Sequence, residues 1–299
     1  MLKPDLPLSG SLPRDLPWRK NVALLLDGVS VEKLPQKLYT WSDSPDFEPL
    51  YLGTRWSALN DISPTLIRLS GQNDPVFQQF LAHADKEWGY LVFSDQPWSN
   101  MLDHFRWLTS VTHPQGAEVL LRLADPAVAH ALLDQAKHLN DATLWGPCLQ
   151  IVTADAALGC WHQHHRPANA PVTSHAKPYR LNDSQITLLD EVNFRSVVMR
   201  LDQHLYEYFP AFQTELQTLE RWKYLNELAS QSYERGFCSE FEITLYANIH
   251  GFLGKMALAE HPDLDDLLAS TSEQTPVQRL EYVANIAKER AESLQRNPG

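Results

Sequence analysis

The sequence has no G-x-x-x-x-G-K-[ST] loop, no G-x-G-x-x-G after an apolar run, no G-x-S-x-G elbow, no H-E-x-x-H and no EF-hand loop. The usual marks of nucleotide-binding, serine-hydrolase, zinc-protease and calcium-binding chains are therefore missing together. Glycine is scarce, 12 in 299 residues, so few positions let a backbone approach a ligand closely. The three cysteines, Cys148, Cys160 and Cys238, form no C-x-x-C pair and are too few for a disulfide scaffold, as expected in a reducing compartment. Positive charge is also short: 25 Lys and Arg stand against 37 Asp and Glu, a net charge of −12. Such a balance repels nucleic acid and anionic lipid and suits a basic protein partner. No run reaches the roughly 18–20 apolar residues that span a bilayer, so no membrane insertion is expected. Residues 1–20 carry recurrent prolines and no continuous apolar core. They are expected to form an irregular arm and not a secretory leader.

What is present is a run of short apolar segments separated by helical periods. Strands are predicted at 22–27, 65–69, 90–94 and 119–123. Between them lie helices with Phe77, Phe80, Leu81 and Ala84 on one stripe and Met101, Leu102, Phe105 and Leu108 on another. Asp74-Pro75 and Asp125-Pro126 open helices, since aspartate caps the first free N–H groups and proline needs no donor there. Residues 149–155 and 159–166 read as a hairpin. This alternation predicts an α+β or α/β lobe over 21–166, built on a mixed sheet. Residues 167–180, rich in proline and without periodicity, are predicted to be a linker. Residues 181–299 are predicted to be an all-helical lobe, with Ser239 and Glu242 at capping-box spacing. Charge is uneven: residues 180–299 hold 11 basic and 19 acidic side chains, a balance of −8, and the first 179 a balance of −4.

Two clusters invite a chemical reading. Asp27 ends the first strand in an Asp-Gly pair, and Arg122 lies in an apolar run three residues before Asp125, just downstream of Arg106. An arginine in such a run needs a carboxylate, so a structural ion pair of Arg122 with Asp125 or Asp27 is expected. The second cluster is C-W-H-Q-H-H at 160–165. On a strand, Cys160, His162 and His164 share one face and Trp161, Gln163 and His165 the other. An alternative reading takes His162, His164 or His165, with Asp155 or Cys160, as the ligands of a metal-dependent hydrolase. The leading reading assigns no catalytic, cofactor-binding or metal-ligating residue, and expects a non-enzymatic protein. Trp161, His162, His164 and Glu240 are then candidate partner contacts.

The blocks L-L-D-G (25–28), P-L-Y-L-G-T (49–54), S-P-T-L-I-R-L (63–69), E-W-G-Y-L-V-F-S (87–94), L-D-H-F-R-W-L (102–108), V-L-L-R-L-A-D-P-A-V (119–128) and W-G-P (145–147) resemble, in this order, the DUF4123 family (domain of unknown function 4123). The resemblance covers about 21–150, and Y-E-R-G-F-C-S-E-F-E-I (233–243) resembles the helical C-terminal part of many members. The large residue usual after the arginine is Leu123 here, followed by Ala124. The resemblance implies a cytoplasmic bacterial protein of type VI secretion. Such an adaptor or chaperone binds a toxic effector and helps mount it on a VgrG-type spike, with no cofactor. Its pattern maps onto Asp27, Tyr51, Gly53, Trp88, Gly89, Arg106, Arg122, Asp125, Pro126, Gly146 and Pro147, residues expected to be architectural.

Overall fold

The computed structural model describes residues 8, 12–168, 173–270 and 274–296. The chain divides into two compact units between Val192 and Asn193. The first contains β1 (Asn21–Leu26), α1 (Leu34–Trp41), β2 (Asp46–Pro49), a 3-10 turn at Ser57–Ile62, β3 (Thr65–Arg68), α2 (Pro75–Ala82) and β4 (Gly89–Ser94). It continues through α3 (Trp98–Leu108), β5 (Ser110–Thr112), β6 (Glu118–Leu120), α4 (Pro126–His138), β7 (Cys148–Asp155), β8 (Cys160–His165) and β9 (Tyr179–Arg180).

Six strands form the main sheet in the order β2-β3-β1-β4-β7-β8, and every neighbouring pair is antiparallel. Mixed pairing is confined to a small second sheet, where β5 meets β6 antiparallel and β9 parallel. The central strand explains its own composition. Ala23 and Leu25 face a core shared with α3 and α4, through Met101, Phe105, Val128 and Leu132. Val22, Leu24 and Leu26 face a second core shared with α1 and α2, through Leu34, Leu38, Phe77 and Phe80. A strand covered on both faces has no reason to alternate, which is why V-A-L-L-L is a continuous apolar run. Gly89 lies opposite Leu26, where a Cβ would overlap the Leu25 carbonyl oxygen.

Three expectations are adjusted. The strand expected at 119–123 stops at Leu120 and belongs to the small sheet. Leu121 donates its N–H back to Thr109, and the chain then turns so that Arg122 leaves the sheet direction. The stretch 167–180 ends in a real strand, β9, while residues 169–172 lie outside the described residues. The irregular arm is anchored where it is described. Leu8 and Leu16 are buried, and Trp18 packs edge-on against Phe77 and Phe93.

α5 (Asp183–Tyr208) starts in the first unit and continues into the second. The second unit adds α6 (Thr218–Glu234), α7 (Glu240–Leu253), α8 (Ala257–Glu260), α9 (Pro262–Ala269) and α10 (Pro276–Arg296). Its core is built from Leu201, Leu205, Phe237, Tyr246, Leu280 and Ala287, with α10 laid along α7. The expected capping box is present: Ser239 accepts from the Glu242 N–H, and the Glu242 carboxylate accepts from the Ser239 N–H at 2.8 Å. Fold class is thus α+β, a sheet unit followed by a helical one.

Candidate functional site

The first constellation sits where β1 ends. The Asp27 carboxylate is buried and fully engaged: it accepts from Val29 N at 3.0 Å, Ser30 Oγ at 2.9 Å and Arg122 Nη2 at 2.7 Å. The other end of the Arg122 guanidinium lies 3.5 Å from Asp125, whose second oxygen caps α4 by accepting from Ala127 N at 2.9 Å. Pro126 occupies the first turn of α4. One arginine therefore ties the end of the central strand to the start of α4. Tyr51 is buried beside this pair, and burial followed by the Asp27 charge pushes its hydroxyl pKa up. None of these groups is poised as a free base or nucleophile. The carboxylate is held by three donors, and the neighbouring Tyr51 hydroxyl is held protonated.

The other residues of the pattern are spread through the first unit. Gly53 lies in the turn after Tyr51. Trp88 stacks on Trp41 and His83, and its carbonyl accepts from Asp27 N at 2.8 Å. Arg106 reaches Glu48 at 3.5 Å. Gly146 has φ +53°, and a Cβ there would run into the buried His104 ring. The Pro147 carbonyl accepts from Ser94 Oγ at 2.7 Å, linking the W-G-P turn to β4. His104 in turn accepts or donates at 3.0 Å to His175 and at 3.1 Å to the Leu144 carbonyl, and burial pushes its pKa down to about 4. His104 belongs to the apolar stripe of α3, with Met101, Phe105 and Leu108, and that placement was the available sign of its burial.

The second constellation is built on the hairpin. The pairing of β7 with β8 sets Ile151 opposite His164, Thr153 opposite His162 and Asp155 opposite Cys160. Cys160, His162 and His164 do share one face, and that face looks at α4. There His130, which sequence reasoning did not single out, completes the group. Its ring stacks on His162 with centroids 3.8 Å apart, and its Nδ1 lies 3.1 Å from His164 Nε2. His162 Nε2 lies 3.1 Å from Asp155 and 3.8 Å from Cys160 Sγ. His164 is buried, and burial, then the neighbouring His130 and His162, push its pKa down to about 3.

This arrangement does not resemble a nucleophilic triad. A base histidine needs one nitrogen for its orienting carboxylate and the other for the nucleophile. Here the same nitrogen faces both Asp155 and Cys160, and burial with the Asp155 charge raises the thiol pKa. Among the described residues, no group of three His, Cys, Asp or Glu side chains is arranged to hold a metal ion. The metal-dependent alternative therefore finds no site in this cluster. The expected partner contacts are also altered. His164 is buried against α4, and Trp161 turns inward onto Phe80, its Nε1 donating to the Leu8 carbonyl at 2.6 Å. His162 is half-buried beneath His130, whereas Gln163 and His165 are exposed. Glu240 is exposed at the start of α7 and takes two hydrogen bonds from Arg200, at 2.5 and 2.8 Å.

Residues 24–144, which run from within β1 to just beyond α4 and leave out β7 and β8, match the family described as Domain of unknown function (DUF4123). Over 296 residues the chain is also 28% identical to the accessory protein VasW of Vibrio cholerae serotype O1, an alignment that spans 95% of this chain and 94% of that protein. No solved structure matches the chain.

Proposed function

We propose that this protein is a non-enzymatic accessory factor of type VI secretion, an adaptor that binds a toxic effector in the bacterial cytoplasm and helps load it onto a VgrG-type spike. The observation that carries this reading is the match to an accessory protein along nearly the whole of both chains, and not along the DUF4123 domain alone. It extends the relationship through the helical unit as well. The chemistry of the two constellations supports it. Both spend their charged and polar groups on holding elements together, and neither presents an activated nucleophile or base. No described helix is long and apolar enough to cross a membrane.

Within this reading, the partner contacts fall on β8 and on the start of α7. At β8 they involve the exposed Gln163 and His165, while His162 and His164 on the opposite face, and Trp161 through Phe80, hold the strand in place. At α7 they involve Glu240, on the more acidic part of the chain. The decisive experiment is affinity capture of the untagged-partner complex from a bacterium with an active secretion system, followed by mass spectrometry. Recovery of one toxin and one spike protein is expected. Recovery of neither would overturn the reading.

A further inference from the structure

We propose that His130, His162 and His164 form an acid-sensitive latch that holds the outer strand β8 on α4 near neutral pH and releases it when the cluster takes up a second proton. The geometry sets the limit. The 3.1 Å contact between His130 Nδ1 and His164 Nε2 is a hydrogen bond only while one nitrogen carries a proton and the other does not. One extra proton is accommodated, because an imidazolium still donates to a neutral neighbour. Two are not: protonating both partners removes the acceptor, protonating His130 and His162 together places two like charges face to face at 3.8 Å, and protonating His162 and His164 together buries the second charge on His164, 6.4 Å from the first.

The charged groups around the cluster sharpen this. From α4, Asp134 favours a charged His164 and Lys137 opposes it. From β7, Asp155 lies against His162 at 3.1 Å and accommodates a proton there. On β8 itself, Cys160 is a neutral thiol and supplies no counter-charge. The Asp155 carboxylate thus meets His162, the ring outside the His130–His164 bond. Interacting sites of this kind titrate in separated steps that belong to the group and not to any one residue. The consequence falls on β8 because it lies at the end of the sheet, with one neighbouring strand.

Hydrogen exchange read by mass spectrometry on the whole chain tests the latch, with rates corrected for the intrinsic effect of pH. Between pH 7.5 and pH 5.0, opening of the β8 amides is expected to rise roughly thirtyfold, the ratio for a histidine ordinarily near 6.5 that must stay neutral in the closed state. Amides of α1 and α2 are expected to change far less. The substitution His164→Gln keeps a hydrogen-bonding partner for His130 without a titrating ring, and is expected to flatten the β8 response. If that variant does not fold, carbon-detected titration of the imidazoles in the unaltered protein decides the matter. Separated steps, with at least one ring still neutral at pH 5, support the latch. Three independent curves near 6.5, or a rise at α1 and α2 in step with β8, would overturn it.

Discussion

At the scale of single residues, the side chains that matter most are those whose partners cannot be replaced by water. Asp27 is the clearest. It is buried, and among the described residues the cation it contacts is Arg122, which is itself half-exposed. Replacing Arg122 with alanine leaves a buried carboxylate with two neutral donors, and is expected to cost about 1–3 kcal/mol. Lysine at the same position is expected to recover less than half of that, since a point charge cannot meet Asp27 and Asp125 with two edges of one plane. Urea denaturation of the three proteins measures both. Equal midpoints for all three would mean that the pair contributes nothing to stability. The histidines follow the same logic with the opposite preference. His104 and His164 are kept neutral first by burial, and then by the neighbouring imidazoles, His175 for the one and His130 and His162 for the other.

At the scale of elements, local signals and tertiary ones separate cleanly. The N-cap at Asp125, the proline after it and the box at Ser239 and Glu242 are relations between residues two or three apart, and each was legible in the sequence. Replacing Ser239 with alanine is expected to lower stability by about 1 kcal/mol, and the loss should appear in the helical unit as a shift in the urea midpoint. An unchanged midpoint would show that Glu242 alone secures the start of α7. The two faces of β8 were legible too, because a strand's period of two assigns them without knowledge of neighbours. What lies against each face was not. His130 reaches His162 and His164 only because α4 crosses that side of the hairpin, a relation over more than thirty residues with no local mark. The end of β6 was hidden for a related reason. V-L-L-R-L is apolar enough for a strand throughout, and only the demand of Asp27 for a cation turns Arg122 out of it.

At the scale of the whole molecule, both units carry histidines that the fold keeps uncharged. His104 is held at about 4 and His164 at about 3 in the sheet unit, and His250 at about 4 in the helical one, all by burial first. A folded pKa below the unfolded value of about 6.5 means that the unfolded chain binds more protons between these limits. Stability is therefore expected to be full above pH 6.5, to fall as pH drops from there toward 4, and to fall in both units. Thermal unfolding followed at pH 7.5, 6.0 and 5.0 measures the trend, and a melting temperature that rises on acidification would contradict it. The position of β1 in the sheet has a separate consequence, in time. Of the described strands it is the first made and an interior one, flanked by β3 and β4. Its neighbours begin at Thr65 and Gly89, so a ribosome working at about 5–20 residues per second exposes the strand before either partner exists, for about 2–8 s before β3 and longer before β4. During synthesis the most apolar stretch of the sheet is thus also the longest without a partner, and it is where a nascent chain of this protein most needs a chaperone of its own.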